Sequence, residues 1–174
     1  MKKVILVAIL AIAGFAAAAA QPRAIGVNLG WGADISYQHT LSETNMIDLS
    51  VNIPAFAGIG ATATYDWINP GGTVIPWDYE GQWNWNLGVG AGLGIYSPFS
   101  TMSELNEQGE LEKVWAGSIY AGVAGHVGIS YDFWFPLQLS LDYRPNIGIV
   151  NNYGVRFNLT GLFTGVSLGV RYLF

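Results

Sequence analysis

The sequence predicts an all-β fold: a closed, antiparallel, up-and-down barrel that crosses a membrane, most simply with eight strands, ten being possible. Three observations predict it. Apolar residues recur at every second position over long stretches, and the positions between them are glycine or polar. No segment beyond Ala20 offers the roughly 20 unbroken apolar residues of a spanning helix, although 51% of the 174 residues are hydrophobic. Hydrocarbon cannot satisfy an open strand edge, so strands that face lipid must close into a ring.

The N-terminus is read first. Lys2 and Lys3 precede an apolar run from Val4 to Ala20, with small residues at Ala18 and Ala20 just before Gln21. This pattern predicts a secretory signal peptide over residues 1–20, followed by one barrel domain over 21–174. Its removal leaves 5 of the 7 basic residues against 12 acidic ones, a formal charge of −7. Clustered Lys and Arg are missing, which argues against nucleic acid as a partner. The chain has no Cys, so there is no disulfide framework, cysteine metal site or lipid-modified cysteine.

The strands follow in order. Ile25, Val27, Leu29, Trp31, Ala33, Ile35 and Tyr37 share one face, against Gly26, Asn28, Gly30, Gly32, Asp34 and Ser36 on the other. They read as strands 23–30 and 33–41, or as one long strand, because an odd-length turn at Gly30, Trp31 and Gly32 would preserve the phase. Further strands are expected at 46–53, 58–68, 82–96, 114–131, 137–144 and 164–174. Residues 153–161 alternate as well, and as a separate strand they would alter the count. The stretch 69–81 is longer than a tight turn requires. Glycines 88, 90, 92 and 94 keep strand spacing and lack the Lys and helix of a phosphate loop; they make room for large side chains from other strands.

A soluble barrel would bury its greasy face; a membrane barrel turns that face to lipid and lines its interior with small or polar residues. Short turns at 42–45 and 132–136 suit the periplasmic side, and the acidic stretch 97–113 suits the outside. Tyr37, Trp67, Trp83, Trp85, Tyr131, Phe133, Tyr172 and Phe174 then form a girdle at the periplasmic interface, and Trp31, Trp115 and Tyr143 one at the outer interface. Asp142 and Arg144, two apart on one strand, share the inner face, with Asp34, Asp48, Arg156 and Arg171 expected beside them in a charge network that fills the lumen. His126 is in phase with Ser118, Tyr120 and Ser130 and is expected inside. It is read as one member of that polar network, although an inward Ser and His also fit a lipid-modifying enzyme. No His and acid cluster has metal-ligand spacing, and no cofactor is expected.

The C-terminal strand Ser167, Leu168, Gly169, Val170, Arg171, Tyr172, Leu173, Phe174 resembles the assembly signal of Gram-negative outer-membrane barrels, carried here by Ser167, Gly169, Tyr172 and Phe174. With GADISYQHTL at 32–41 and FPLQLSLDYRP at 135–145, it resembles the small porin-like barrels of outer membrane protein X and outer membrane protein W architecture. That resemblance implies the outer membrane as location, its lipid and lipopolysaccharide as surroundings, and the barrel assembly machinery as a partner during biogenesis; it carries over no catalytic residue. The expected role is non-enzymatic, structural or at the cell surface through the loops. A small-solute porin and a lipid-modifying enzyme using His126 are the alternatives.

Overall fold

The computed structural model describes residues 23–54, 58–72, 80–105, 111–151, 154–159 and 165–174. The expected signal peptide at 1–20 lies outside them. Twelve strands are formed among the described residues: β1 (Arg23–Gly30), β2 (Gly32–Ser42), β3 (Asn45–Pro54), β4 (Gly58–Ile68), β5 (Gly81–Tyr96), β6 (Thr101–Leu105), β7 (Leu111–Trp115), β8 (Ser118–Phe133), β9 (Leu137–Tyr143), β10 (Asn146–Asn151), β11 (Val155–Asn158) and β12 (Val166–Leu173). Among these residues no helix is long and apolar enough to cross a membrane.

Eight of these strands close the ring. Antiparallel neighbours run β1, β2, β3, β4, β5, β8, β9 and β12, and β12 pairs back to β1 from Ala24 opposite Leu173 to Gly30 opposite Ser167. At the seam Arg23 and Phe174 exchange two backbone hydrogen bonds of 2.9 and 2.8 Å. β10 continues β9: Tyr143 faces Val127 and Asn146 faces Ala124, so both strands hold one register against β8.

Register sets the width of the ring. Register partners lead from Ser140 through Gly169, Asn28, Asp34, Asn52, Gly60, Gly94 and Tyr120 to Val150, ten residues further along the strand where the circuit began. With ordinary strand spacing and rise, that shear tilts eight strands by about 41° and gives a backbone radius of about 8 Å. Such a ring is only wide enough for side chains to fill.

Several expectations are refined. Residues 24–38 form a hairpin with Trp31 between β1 and β2, whose closing pair is Leu29 and Ala33. The odd-length turn is what let one phase run through both strands. The expected strand 114–131 is divided into β7 and β8, because the stretch read as a plain acidic loop holds a separate two-stranded hairpin, β6 paired with β7. Residues 155–158 form β11, but it pairs with β10 above the ring and adds no ninth wall strand. In the segment 69–81, Pro70–Gly72 make a 3-10 turn, and residues 73–79 lie outside the described set.

The faces are sorted by the period of two. Leu29, Ile35, Val51, Leu93, Val123, Leu141 and Leu168 are exposed on the outer wall. Asn28, Ser36, Asp48, Asp66, His126, Asp142 and Arg171 are buried inside. The barrel therefore has a polar core and an apolar coat, the reverse of a soluble protein. The walls are unequal in height: β5 and β8 have 16 residues each, β1 and β12 have 8.

Candidate functional site

The core is a polar plug built from strands on all sides of the ring. Arg171 of β12 is 1% exposed, so each of its donors needs a partner within the protein. All five find one. Nε donates to Ser36 at 2.8 Å, Nη1 to Gln138 and Ser140, and Nη2 to Asn28 at 3.0 Å and to Asp142 at 2.8 Å.

Asp142 passes the network to His126. Its Oδ2 also accepts from Ser140 at 2.6 Å, and its Oδ1 lies 3.0 Å from His126 Nε2. On the far side of the ring, His126 Nδ1 lies 2.7 Å from Asp66 Oδ1. A carboxylate only accepts, so an imidazole with one on each nitrogen satisfies both by donating twice, as the imidazolium. Asn86 Nδ2 is 3.1 Å from both Asp66 Oδ1 and His126 Nδ1; as a donor facing a donor, it bonds to the carboxylate. Thr64 completes Asp66 at 2.7 Å. The result is an alternating chain Asp66, His126, Asp142, Arg171.

Glycines make this possible by leaving space beside the ladder. A Cβ built at Gly88 would fall on Asp66 Oδ1, and one at Gly169 on Asn28 and Ser140. A second pair lies nearer the loop end. Arg144 Nη2 donates to Asp48 at 3.1 Å, and Gln38 holds the same Asp48 Oδ2 at 2.9 Å. With Arg144 and Asp48 included, three carboxylates are ion-paired with three cations, while Asp34 and Asp132 are held by side-chain amides. That balance is what a buried polar core requires, since an unpaired charge is costly there.

Above and below the plug the lumen opens into two vestibules. The one at the loop end encloses about 440 Å³ and the one at the turn end about 430 Å³. At the turn end Asn84 and Gln138 donate to Asp132 at 2.9 and 2.8 Å. Arg144 sits at the floor of the loop-end vestibule, where water can reach the edge of its ion pair. Arg144→Ala should therefore lower the unfolding free energy by about 2 kcal/mol, less than loss of a fully enclosed cation. Urea unfolding of the refolded barrel in vesicles measures this, and a loss as large as that of Arg171→Ala would contradict the graded burial.

The structure places Asp34, Asp48, His126, Asp142, Arg144 and Arg171 on the inner face, Asp34 through a hydrogen bond from Asn28. Asp142 and Arg144 are not partners, however: Asp142 takes Arg171 and Arg144 takes Asp48. Arg156 is a correction. It is exposed on β11, and the hairpin formed by β10 and β11 carries it out of the lumen.

Asp66 was missed, although it is wholly buried and bridges to His126. In GIGATATYDWI both faces carry small residues, so the inward phase was not distinct; Trp67, pointing out, was the available signal. The Ser and His pairing does not form, because both ring nitrogens of His126 face carboxylates and Ser140 bonds to Asp142. Groups of His, Cys, Asp and Glu with metal-binding geometry are absent among the described residues.

Aromatic rings crowd the turn end. Trp83, Tyr131, Phe133, Phe135 and Trp134 form a contiguous series with centroids 4.8–5.2 Å apart, and Tyr172 stacks on Phe174 at 6.2 Å. Tyr65 and Trp67 lie edge to face, and Tyr37 stacks on His39. Trp85 is half-buried on the same end of β5, while Trp31 and Tyr143 are exposed toward the loop end. Trp115 belongs to β7, the hairpin beyond the ring. Comparison with protein-family models, curated proteins and solved structures returns no match.

Proposed function

We propose that this chain is an integral outer-membrane barrel of Gram-negative type, with a side-chain-filled interior and a non-enzymatic structural or surface role exercised through its loop end. One observation carries the reading: the wall is apolar on the outside and the core is an ion-paired, hydrogen-bonded polar network. In water that distribution would expose a continuous greasy belt; in lipid it is the expected one. The turn-end rings then serve as an interfacial girdle, and Ser167, Gly169, Tyr172 and Phe174 as the signal read by the assembly machinery. Outer-membrane lipid and lipopolysaccharide are the surroundings. The architecture is similar to that of the small barrels of outer membrane protein X and outer membrane protein W type.

Two results test this reading. The mature chain should fractionate with the outer membrane and migrate differently on gels before and after boiling, because a closed ring keeps its backbone pairs inside the ladder. Recovery from the soluble periplasm without a shift would sink the proposal. A small-solute channel is the second reading, favoured by the two vestibules that only the plug separates. In planar bilayers the filled barrel should give no large stable openings; such openings would favour the channel.

A further inference from the structure

The loop-end vestibule has features that the plug does not explain. Its wall carries glycines at 60, 92 and 94, facing inward in the phase of Thr62 and Thr64. At Gly90, Gly122 and Gly148 a Cβ would run into the backbone of the neighbouring strand, so glycine there serves the ladder. Gly92 differs: the nearest atom to its Cβ position is Thr62 Oγ1 at 3.2 Å, with the neighbouring backbone at 3.4 Å. A small side chain there would meet little more than a hydroxyl. Glycine at 92 keeps volume open that ladder packing does not require to be empty.

The groups around that volume are of two kinds. Trp31 stands at the lip, and Tyr96 and Tyr120 meet edge to face at 6.3 Å on the wall. Between them are neutral hydrogen-bonding groups: Asn52, which donates to Thr62 at 3.3 Å, and Asn146, which accepts from the Tyr120 hydroxyl at 3.1 Å. Arg144 forms the floor, and its buried Nε has no hydrogen-bond partner.

The charges exclude a simple anion. Arg144 is held by Asp48, and Asp34 lines the same vestibule, so the site has no net positive field to offer. Aromatic rings, amides and hydroxyls suit a neutral ring with apolar C–H faces and hydroxyls on its rim. The volume of about 440 Å³ falls within the usual span of small-molecule sites. We infer that the loop-end vestibule binds a saccharide of one or two units, its hydroxyls meeting the amide groups of Asn52 and Asn146 above the Arg144 floor.

Such a sugar has two sources, a free solute or the oligosaccharide of a surface lipid. The inference rests on the outer-membrane reading only for that source, since binding itself is measured in detergent.

The test is calorimetric titration of the refolded full barrel with glucose, with maltose, and with core oligosaccharide released from lipopolysaccharide. At least one should bind saturably in the millimolar range. Gly92→Leu should weaken binding by about tenfold or more while retaining the heat-shifted band, and Thr40→Ala in the opposite vestibule should leave it unchanged. If Gly92→Leu does not fold, Asn52→Leu fills the same space. Response to glucose or maltose assigns a free solute, and response to the core oligosaccharide alone assigns the lipid-borne sugar. No saturable response to any of the three, or equal binding by the filled variant, would overturn the inference. None of those failures would bear on the fractionation result.

Discussion

Arg171→Ala should lower the unfolding free energy by about 4 kcal/mol, the largest stability loss of any single substitution in the plug. The reason is how completely the guanidinium is used. Its five donors bind Ser36, Gln138, Ser140, Asn28 and Asp142, on β2, β9 and β1 and so on both sides of the seam. Truncation leaves Asp142 with only His126 and Ser140, an excess negative charge inside the ring, and several other acceptors without donors. Urea unfolding in lipid vesicles provides the measurement. A companion variant separates charge from packing: adding Asp142→Asn to Arg171→Ala should recover part of the loss, because the uncompensated negative charge is then gone. An unchanged midpoint for the single variant would mean that water from the vestibules reaches the plug and that the network is not sealed.

Deleting Phe174, or replacing it with Asp, should abolish insertion in cells while leaving the barrel able to form in detergent. Within the finished structure Phe174 is 57% exposed and stacks only on Tyr172, so its side chain contributes little to the core. One partly covered aromatic is worth at most about 1.5 to 3 kcal/mol. A loss of insertion far beyond that scale would be a loss of recognition and not of stability. Expressed with residues 1–20, the variant should, on the outer-membrane reading, accumulate in the periplasm or be degraded. Refolded from urea, it should still give the strand spectrum and the heat-shifted band. Normal insertion of both variants would show that the terminal residues act only as one more lipid-facing strand.

The wall was legible because the apolar coat and the polar lumen impose opposite demands on alternate residues. Seven of the eight expected strands match the observed wall strands within two residues or so at each end, since a greasy outward run such as Trp83 to Ile95 has one possible phase. Ambiguity lay where phase carries no information. The three-residue turn at Trp31 preserves alternation, so periodicity could not separate a hairpin from one long strand. The boundary at Ala116 and Gly117 likewise lies inside a stretch whose alternation continues from one sheet to another. In the plug, the membership of Asp142, His126 and Arg171 followed from phase alone. Their pairing did not, because partners are chosen by the register around the whole circuit: Arg144 meets Asp48 across the lumen, 96 positions away in sequence.

The seam between β1 and β12 has a consequence for how such a molecule comes into being. Every other neighbour in the wall is reached within one loop or one hairpin, but Ala24 must find Leu173. Until it does, the array has two free edges, and hydrocarbon offers neither of them a donor or acceptor. A ring short of one strand is therefore not seven-eighths of a barrel in lipid; it is an open sheet with two rows of unmet backbone groups. The plug reinforces this, because Arg171 rides on the closing strand and its acceptors wait on β1, β2 and β9. Zipping the wall and completing the Arg171 contacts should therefore coincide. Assembly should accordingly lack a half-inserted resting state, and truncation at any wall strand should yield aggregation in place of a smaller barrel.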